Sequence, residues 1–392
     1  MRTIQELDID QINLDSLRDE RASQTPSIDH LRPCVEPNST FDRTTTDMME
    51  RLPTELMVEV VGYLDKPTIH SFTIVSSKYR EIAQPHLFRH ISINAMMTER
   101  NANFVEQVES SSKHASMIKI LTIRMPFTPE LLQHLFAVVS NLEELFMYIE
   151  RADFSLSPHY FPHLRRVHFR ASRRGVIDDV VANFIPCHRV LDDLNVSSPQ
   201  LSTSDPATLC IPPLMESVSS GVNRLVTYQG PRGLLPLLTP NSKMKHLTVS
   251  QKLDERTLRK LSSAVSGGLL SLIVNYQTDP FKYEALPGPL IPSLFPTLRS
   301  IAWLSLDIQS ISVVDQLPHL RRVWFSSTHA WPKAVEGFIT KILELSDKKT
   351  RPLQEIRVYA ANERPFSYTY SKECINSPWV LSTNLPIVPF VE

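Results

Sequence analysis

From Ile118 onward the chain keeps returning to one spacing, apolar-x-x-apolar-x-apolar, with polar residues filling the gaps. It occurs as Ile118-Leu121-Ile123, Leu142-Leu145-Met147, Leu164-Val167-Phe169 and Leu191-Leu194-Val196, then as Val222-Leu225. It returns as Met244-Leu247-Val249, Leu269-Leu272-Val274, Leu298-Ile301-Trp303, Leu320-Val323-Phe325 and Leu353-Ile356-Val358. The middle residues are 24, 22, 27, 31, 22, 25, 29, 22 and 33 apart. The alternation at the end of each unit predicts a short strand buried on one side. Helical spacing marks Leu131–Val139, Asp254–Val265 and Trp331–Leu345 between strands, while the proline-rich stretches 231–238 and 279–296 predict 3₁₀ turns or loops. Strands alternating with helices through short links predict an α/β fold, with a parallel sheet on one side and helices on the other.

Ahead of this array, Arg51–Phe88 follows a different rhythm. Pro53 is expected in the first turn of a helix, where a missing N–H costs nothing, and Glu55 suits the positive end of its dipole. Leu56, Met57, Val60, Val61 and Leu64 recur at three- and four-residue spacing. A second run carries Ile69, Phe72 and Val75 with Thr68 as its expected cap, and a third carries Tyr79, Ile82 and Ala83 and is expected to stop near Pro85. Three helices in roughly 40 residues bury little by themselves, so their apolar sides need a neighbour in this chain or another protein. Phe88-Ile91-Ile93 is expected to supply an opening strand behind them.

Leu52-Pro53-x-Glu55-Leu56, then Leu64-Asp65, then Val75 with Tyr79 four residues on, resembles an F-box. Ser76 stands where that family usually has Cys, and Tyr79 where it has Trp. The repeating segment has a period near the 20–29 residues of leucine-rich repeats. It is similar to the divergent repeat domains of many fungal F-box proteins, with Pro126, Glu150, Ser172 and Lys252 in place of the usual Asn. The resemblance implies a three-helix F-box followed by an irregular leucine-rich-repeat solenoid, strands on its concave face and helices or loops on its convex one. It implies a substrate-recognition subunit of a Skp–cullin–F-box ubiquitin ligase, docking a Skp-type adaptor and through it a cullin. The expected adaptor-facing set is Leu52, Pro53, Leu56, Val60, Leu64, Ile69, Val75 and Tyr79, although Val60 and Leu64 fit equally inside the helical bundle. A repeat scaffold that recruits no ligase is the alternative.

Composition changes this picture little. Net charge is −1 over 392 residues, which gives no global pull toward nucleic acid or an anionic membrane. The four cysteines form no C-x-x-C pair, suiting a reducing compartment, cytoplasm or nucleus. No run of 18 apolar residues occurs, so no membrane partner is expected. Residues 1–48, with ten Asp/Glu against five Lys/Arg, read as a flexible acidic leader. The F-box would then span 49–90, the repeats 91–361, and a proline-bearing tail, 362–392, would cover the last repeat.

No nucleotide-cradling, nucleophile-elbow or H-E-x-x-H motif is present, so neither catalysis nor a cofactor is expected. His86/His90 and His159/His163 have a metal-capable spacing but lack a third ligand nearby, and ordinary packed or surface histidines are the simpler account. The residues between the apolar positions should face outward. Among them Tyr148, Arg166, His168, Arg170, Arg224, Tyr228, Arg322, Trp324, Arg357 and Tyr359 are the candidate substrate-binding set. Arg, Tyr and Trp dominate binding hot spots, and arginine forks suit an acidic or phosphorylated protein segment. The same arginines would also serve simply to keep a sheet soluble.

Overall fold

Three helices open the described chain: α1 (Thr54–Val61), α2 (Lys66–Val75) and α3 (Ser77–Arg89). The computed structural model describes residues 52–93, 98–124, 129–149, 156, 159–171, 174–197, 224–230, 235, 243–249, 253–265, 268–274, 286–327, 332–347, 353–360, 366–371 and 380–383. The expected leader, 1–48, and the four positions that replace the repeat asparagine lie outside these residues. The chain divides into two units, Met1–Met147 and Tyr148–Glu392.

In the first unit the helix ends differ from expectation at three points. Pro53 is the N-cap of α1, one step outside the helix, and its carbonyl accepts the Met57 N–H (3.1 Å). Asp65, not Thr68, caps α2: its Oδ1 accepts the Thr68 N–H (3.1 Å), and the Thr68 side chain, then that N–H, hold its carboxyl below the usual range. α3 runs through Pro85 to Arg89. An interior proline costs about 3 kcal/mol. Burying Leu87 and Phe88 on the following turn returns about 1.5–3 kcal/mol each, enough to carry the helix on.

β1 (His90–Ile93) then pairs in parallel with β2 (Ile120–Arg124), Ile91 opposite Leu121 and Ile93 opposite Ile123. Between them lie α4 (Thr98–Ser110) and α5 (Ser112–Met117), the latter capped by the Ser111 hydroxyl. α6 (Pro129–Val138) leads to β3 (Glu144–Ile149). The Lys119 carbonyl accepts both the Glu143 and Glu144 N–H groups (2.7 and 2.9 Å), which fixes the entry of β3.

The second unit repeats that device. Its parallel strands are β4 (Arg166–Ala171), β5 (Asp193–Ser197), β6 (Thr227–Gly230), β7 (His246–Val249), β8 (Ser271–Val274), β9 (Ser300–Ser305), β10 (Arg322–Ser327) and β11 (Glu355–Ala360), standing in chain order. The carbonyls of Arg165, Asp192, Val226, Lys245, Leu270, Arg299 and Arg321 each accept two successive N–H groups from the next strand. Antiparallel β12 (Phe366–Ser371) and β13 (Val380–Thr383) follow β11. The connections hold α7 (Arg174–Asp179), α8 (Glu255–Ala264), α9 (Ile291–Leu294), α10 (Ile308–Gln316) and α11 (Pro332–Asp347). Asp254 and Asp307 cap α8 and α10, and the Phe325 and Phe338 rings meet edge to face at 4.8 Å, tying β10 to α11.

Tight turns place the strands. Phe161-Pro162-His163-Leu164, Phe295-Pro296-Thr297-Leu298 and Leu317-Pro318-His319-Leu320 each close with the fourth N–H on the first carbonyl, at 3.2–3.3 Å. Proline presets the backbone at the second position of such a turn. Pro162–Phe169 and Pro318–Phe325 differ only at His168 and Trp324, a near-exact internal recurrence.

The apolar trios are buried on one side of their strands, with two corrections. The weak Val222-Leu225 spacing is displaced: the buried set is Leu225, Tyr228 and Gly230, with Tyr228 opposite Leu194 and Leu247. A tyrosine took the middle apolar place, and its bulk is matched by a glycine in the third. In β9 a bulge shifts the register from Ile301 opposite Val323 to Leu304 opposite Phe325, so Leu304 replaces Trp303 as the third position.

Candidate functional site

The first candidate surface is on α1 and α2. Their apolar residues divide into two stripes. Met57, Val61 and Ile69 turn inward, whereas Leu56, Val60 and Tyr63 share an exposed stripe at four- and three-residue spacing. Val58, Ile74 and Val75 are exposed as well. Fractional exposure in this group runs from 40% at Val60 to 67% at Tyr63. Among the described residues nine large apolar side chains are exposed, and six lie between Leu56 and Val75.

Of the expected adaptor-facing residues, Pro53, Leu56, Val60 and Val75 are exposed, and Leu52 and Leu64 are half-buried. Ile69 and Tyr79 are internal, which corrects their expected placement. Tyr79 meets Phe72 edge to face at 5.6 Å, and Arg80 Nε donates to the Thr73 carbonyl (3.0 Å), clamping α3 to α2. Ser76 is also a structural residue, its hydroxyl accepting the Tyr79 N–H (3.2 Å) as the N-cap of α3. Both departures from the F-box pattern therefore concern the bundle's interior joint. Val58, Tyr63 and Ile74 escaped the sequence reading, though Tyr63 lies seven residues after Leu56 and so continues its stripe.

The second candidate surface is the outward side of the second unit's strands. Tyr148, Arg166, Arg170 and Arg224 are exposed, and His168, Arg322 and Arg357 are half-buried. Tyr228 is fully buried, and that burial pushes its phenol well above its ordinary pKa. Trp324 is corrected too, at 6% exposure. Its Nε1–H donates to Glu355 Oε1 (3.0 Å), while the Arg357 guanidinium lies 4.5 Å above its ring and 2.6 Å from the same oxygen. His168 Nε2 sits 3.8 Å from Asp193 Oδ2. The Tyr359 side chain lies outside the described residues. Arg357 is thus answered locally by Glu355, and His168 stands beside Asp193.

The histidine pairs have structural surroundings. His90 Nε2 contacts Thr122 Oγ1 (3.2 Å); burial, then the nearby Lys66 charge, brings its imidazole down to about 4. Burial likewise lowers His86, His159 and His188. His188 accepts the Phe161 N–H at Nε2 (3.0 Å) and donates from Nδ1 to the Phe184 carbonyl (2.8 Å), so both ring nitrogens are used in the neutral form. No three His, Cys, Asp or Glu side chains converge as a metal set among the described residues.

The F-box-like family model matches residues 49–94, the segment that carries α1 to β1. No curated protein matches the chain. F-box modules are docking modules that bind Skp-type adaptors, which suits an apolar surface held open on two short helices.

Proposed function

We propose that this protein is a substrate-recognition subunit of a Skp–cullin–F-box ubiquitin ligase. α1 and α2 dock the Skp-type adaptor and through it the cullin, and the repeating strands hold the target protein. The observation that carries this reading is the exposed apolar group Leu56, Val60, Tyr63, Ile74 and Val75 within the segment matched as F-box-like. An uncovered cluster of that kind on a small bundle marks an interaction surface. We read the second unit as an irregular leucine-rich-repeat solenoid. The recurring two-N–H carbonyl ladder and the recurring Pro-turn segments support that assignment. On this reading the chain makes no bonds itself. It raises the effective concentration of a target lysine beside the ubiquitin carrier, in the cytoplasm or nucleus.

Co-expression with a Skp-type adaptor tests the reading. The wild-type chain should co-elute with the adaptor on size exclusion. Leu56→Asp/Val60→Asp removes burial worth about 3 kcal/mol or more, which weakens capture over a hundredfold. Both side chains are exposed in the free chain, so its melting curve should stay put. Co-elution of the double variant at wild-type yield, or failure of the wild type to co-elute, contradicts the proposal.

A further inference from the structure

The two-N–H ladder that spaces the second unit's strands also aligns the residues just before them. Read across the strands, these are Arg165, Asp192, Val226, Lys245, Leu270, Arg299, Arg321 and Gln354, of which the stretch from Val226 to Gln354 carries no carboxylate. Each of the first seven carbonyls takes two N–H groups from the next strand at 2.7–3.1 Å, so the row cannot slip without breaking a pair of bonds at every step. Lys245 and Arg299 are exposed and Arg321 is half-buried. Among the described residues none of these three side chains has an ion-pair or hydrogen-bond partner. Of the strand carboxylates on either side, Glu355 is held by Trp324 and Arg357, Asp193 lies 3.8 Å from His168, and Asp192 stands two strands from Lys245 along the row. Half-buried Leu270 stands between Lys245 and Arg299.

From this row we infer that the strand-entry edge of β7 to β10 binds an unmodified acidic segment, rich in Asp and Glu, of the target protein. The inference rests on reading the second unit as the target-holding part. Neighbouring strands lie about 4.8 Å apart, so Lys245 and Arg321, three strands apart, span roughly 15 Å. Positive charge spread over that length matches several separate carboxylates better than one compact phosphate dianion. The arginine forks donate to both oxygens of a carboxylate at once, and Leu270 offers a foothold for one apolar side chain of the same segment. The site is thus one residue upstream of the Arg166 and Arg322 positions singled out from the sequence.

Fluorescence anisotropy on the full-length protein at low salt tests this. The probes are a labelled twelve-residue Glu/Asp/Leu peptide, its Gln/Asn/Leu counterpart, and a neutral peptide of equal length bearing one phosphoserine. The acidic peptide should bind, the amide peptide should not, and the phosphoserine peptide should bind at least fivefold more weakly. Lys245→Glu/Arg299→Glu/Arg321→Glu should weaken acidic-peptide binding at least tenfold. Arg256→Glu/Lys260→Glu/Lys341→Glu makes the same change in net charge at exposed helix positions and should stay within twofold of wild type. Single Lys245→Gln and Arg299→Gln substitutions, each at an exposed position, should weaken binding two- to fivefold and guard against misfolding of the triple variant. The inference is overturned if the acidic peptide does not bind or the row variants bind like wild type. It is equally overturned if the control triple loses as much, or if the phosphoserine peptide binds more tightly. Adaptor capture measured on the same preparations separates the two claims. Capture without peptide binding defeats this inference alone, and peptide binding without capture defeats the ligase reading.

Discussion

Tyr79 shows how one side chain decides which surface is which. It stands where the F-box pattern usually carries Trp, yet it lies within the bundle against Phe72, and its hydroxyl is buried with no hydrogen-bond partner among the described residues. A buried hydroxyl without a partner costs about 1–3 kcal/mol. Tyr79→Phe should therefore hold or raise the thermal midpoint and leave adaptor capture unchanged, whereas Tyr79→Ala should cost about 3–5 kcal/mol. Differential scanning calorimetry of the three forms, with adaptor co-elution measured beside it, distinguishes this packing role from direct contact with a partner, since contact through the hydroxyl would make Tyr79→Phe lose capture. The same reasoning explains what the sequence left undecided on α1. Leu56 and Met57 are adjacent and both apolar, so spacing alone says that a helix has apolar sides, not which one its own bundle fills.

At the scale of elements, strand β6 is the informative failure. The spacing points to Val222-Leu225 with Tyr228 among the outward residues, whereas the strand centres on Tyr228 with Gly230 behind it. A Cβ on Gly230 would stand 2.5 Å from Tyr228 Oη and 2.8 Å from Cζ, so the large ring occupies the space a third apolar side chain takes in other strands. Gly230→Ala should then destabilise the second unit by about 1–3 kcal/mol through overpacking. Gly230→Ala/Tyr228→Leu should recover part of that loss, and additive losses in a chemical-denaturation cycle would show that the two positions do not share the space. Elsewhere the buried trios were legible, because strands with one filled side must alternate. The helices α6, α8 and α11 were legible because their apolar residues recur at helical spacing. α10 was not: its buried residues are Ser310, Val313 and Val314, too few and too mixed to mark a helix face in advance.

At the scale of the whole molecule, the two units present different surfaces. The first leaves an apolar cluster uncovered on α1 and α2, and the second leaves a register-locked row with the cations Lys245, Arg299 and Arg321 at the strand entries. The F-box-like segment was readable because its motif residues are close in sequence. The cationic row was not, because Lys245, Arg299 and Arg321 become neighbours only through strand pairing. The central claim is that the uncovered helical cluster is closed by another protein. Amide hydrogen exchange across residues 54–75, in the full-length chain alone and with saturating Skp-type adaptor, tests it most directly. Exchange there should slow at least tenfold on adding adaptor while β4 to β11 keep their rates. Unchanged exchange at 54–75, or slowing confined to the strands, would contradict it.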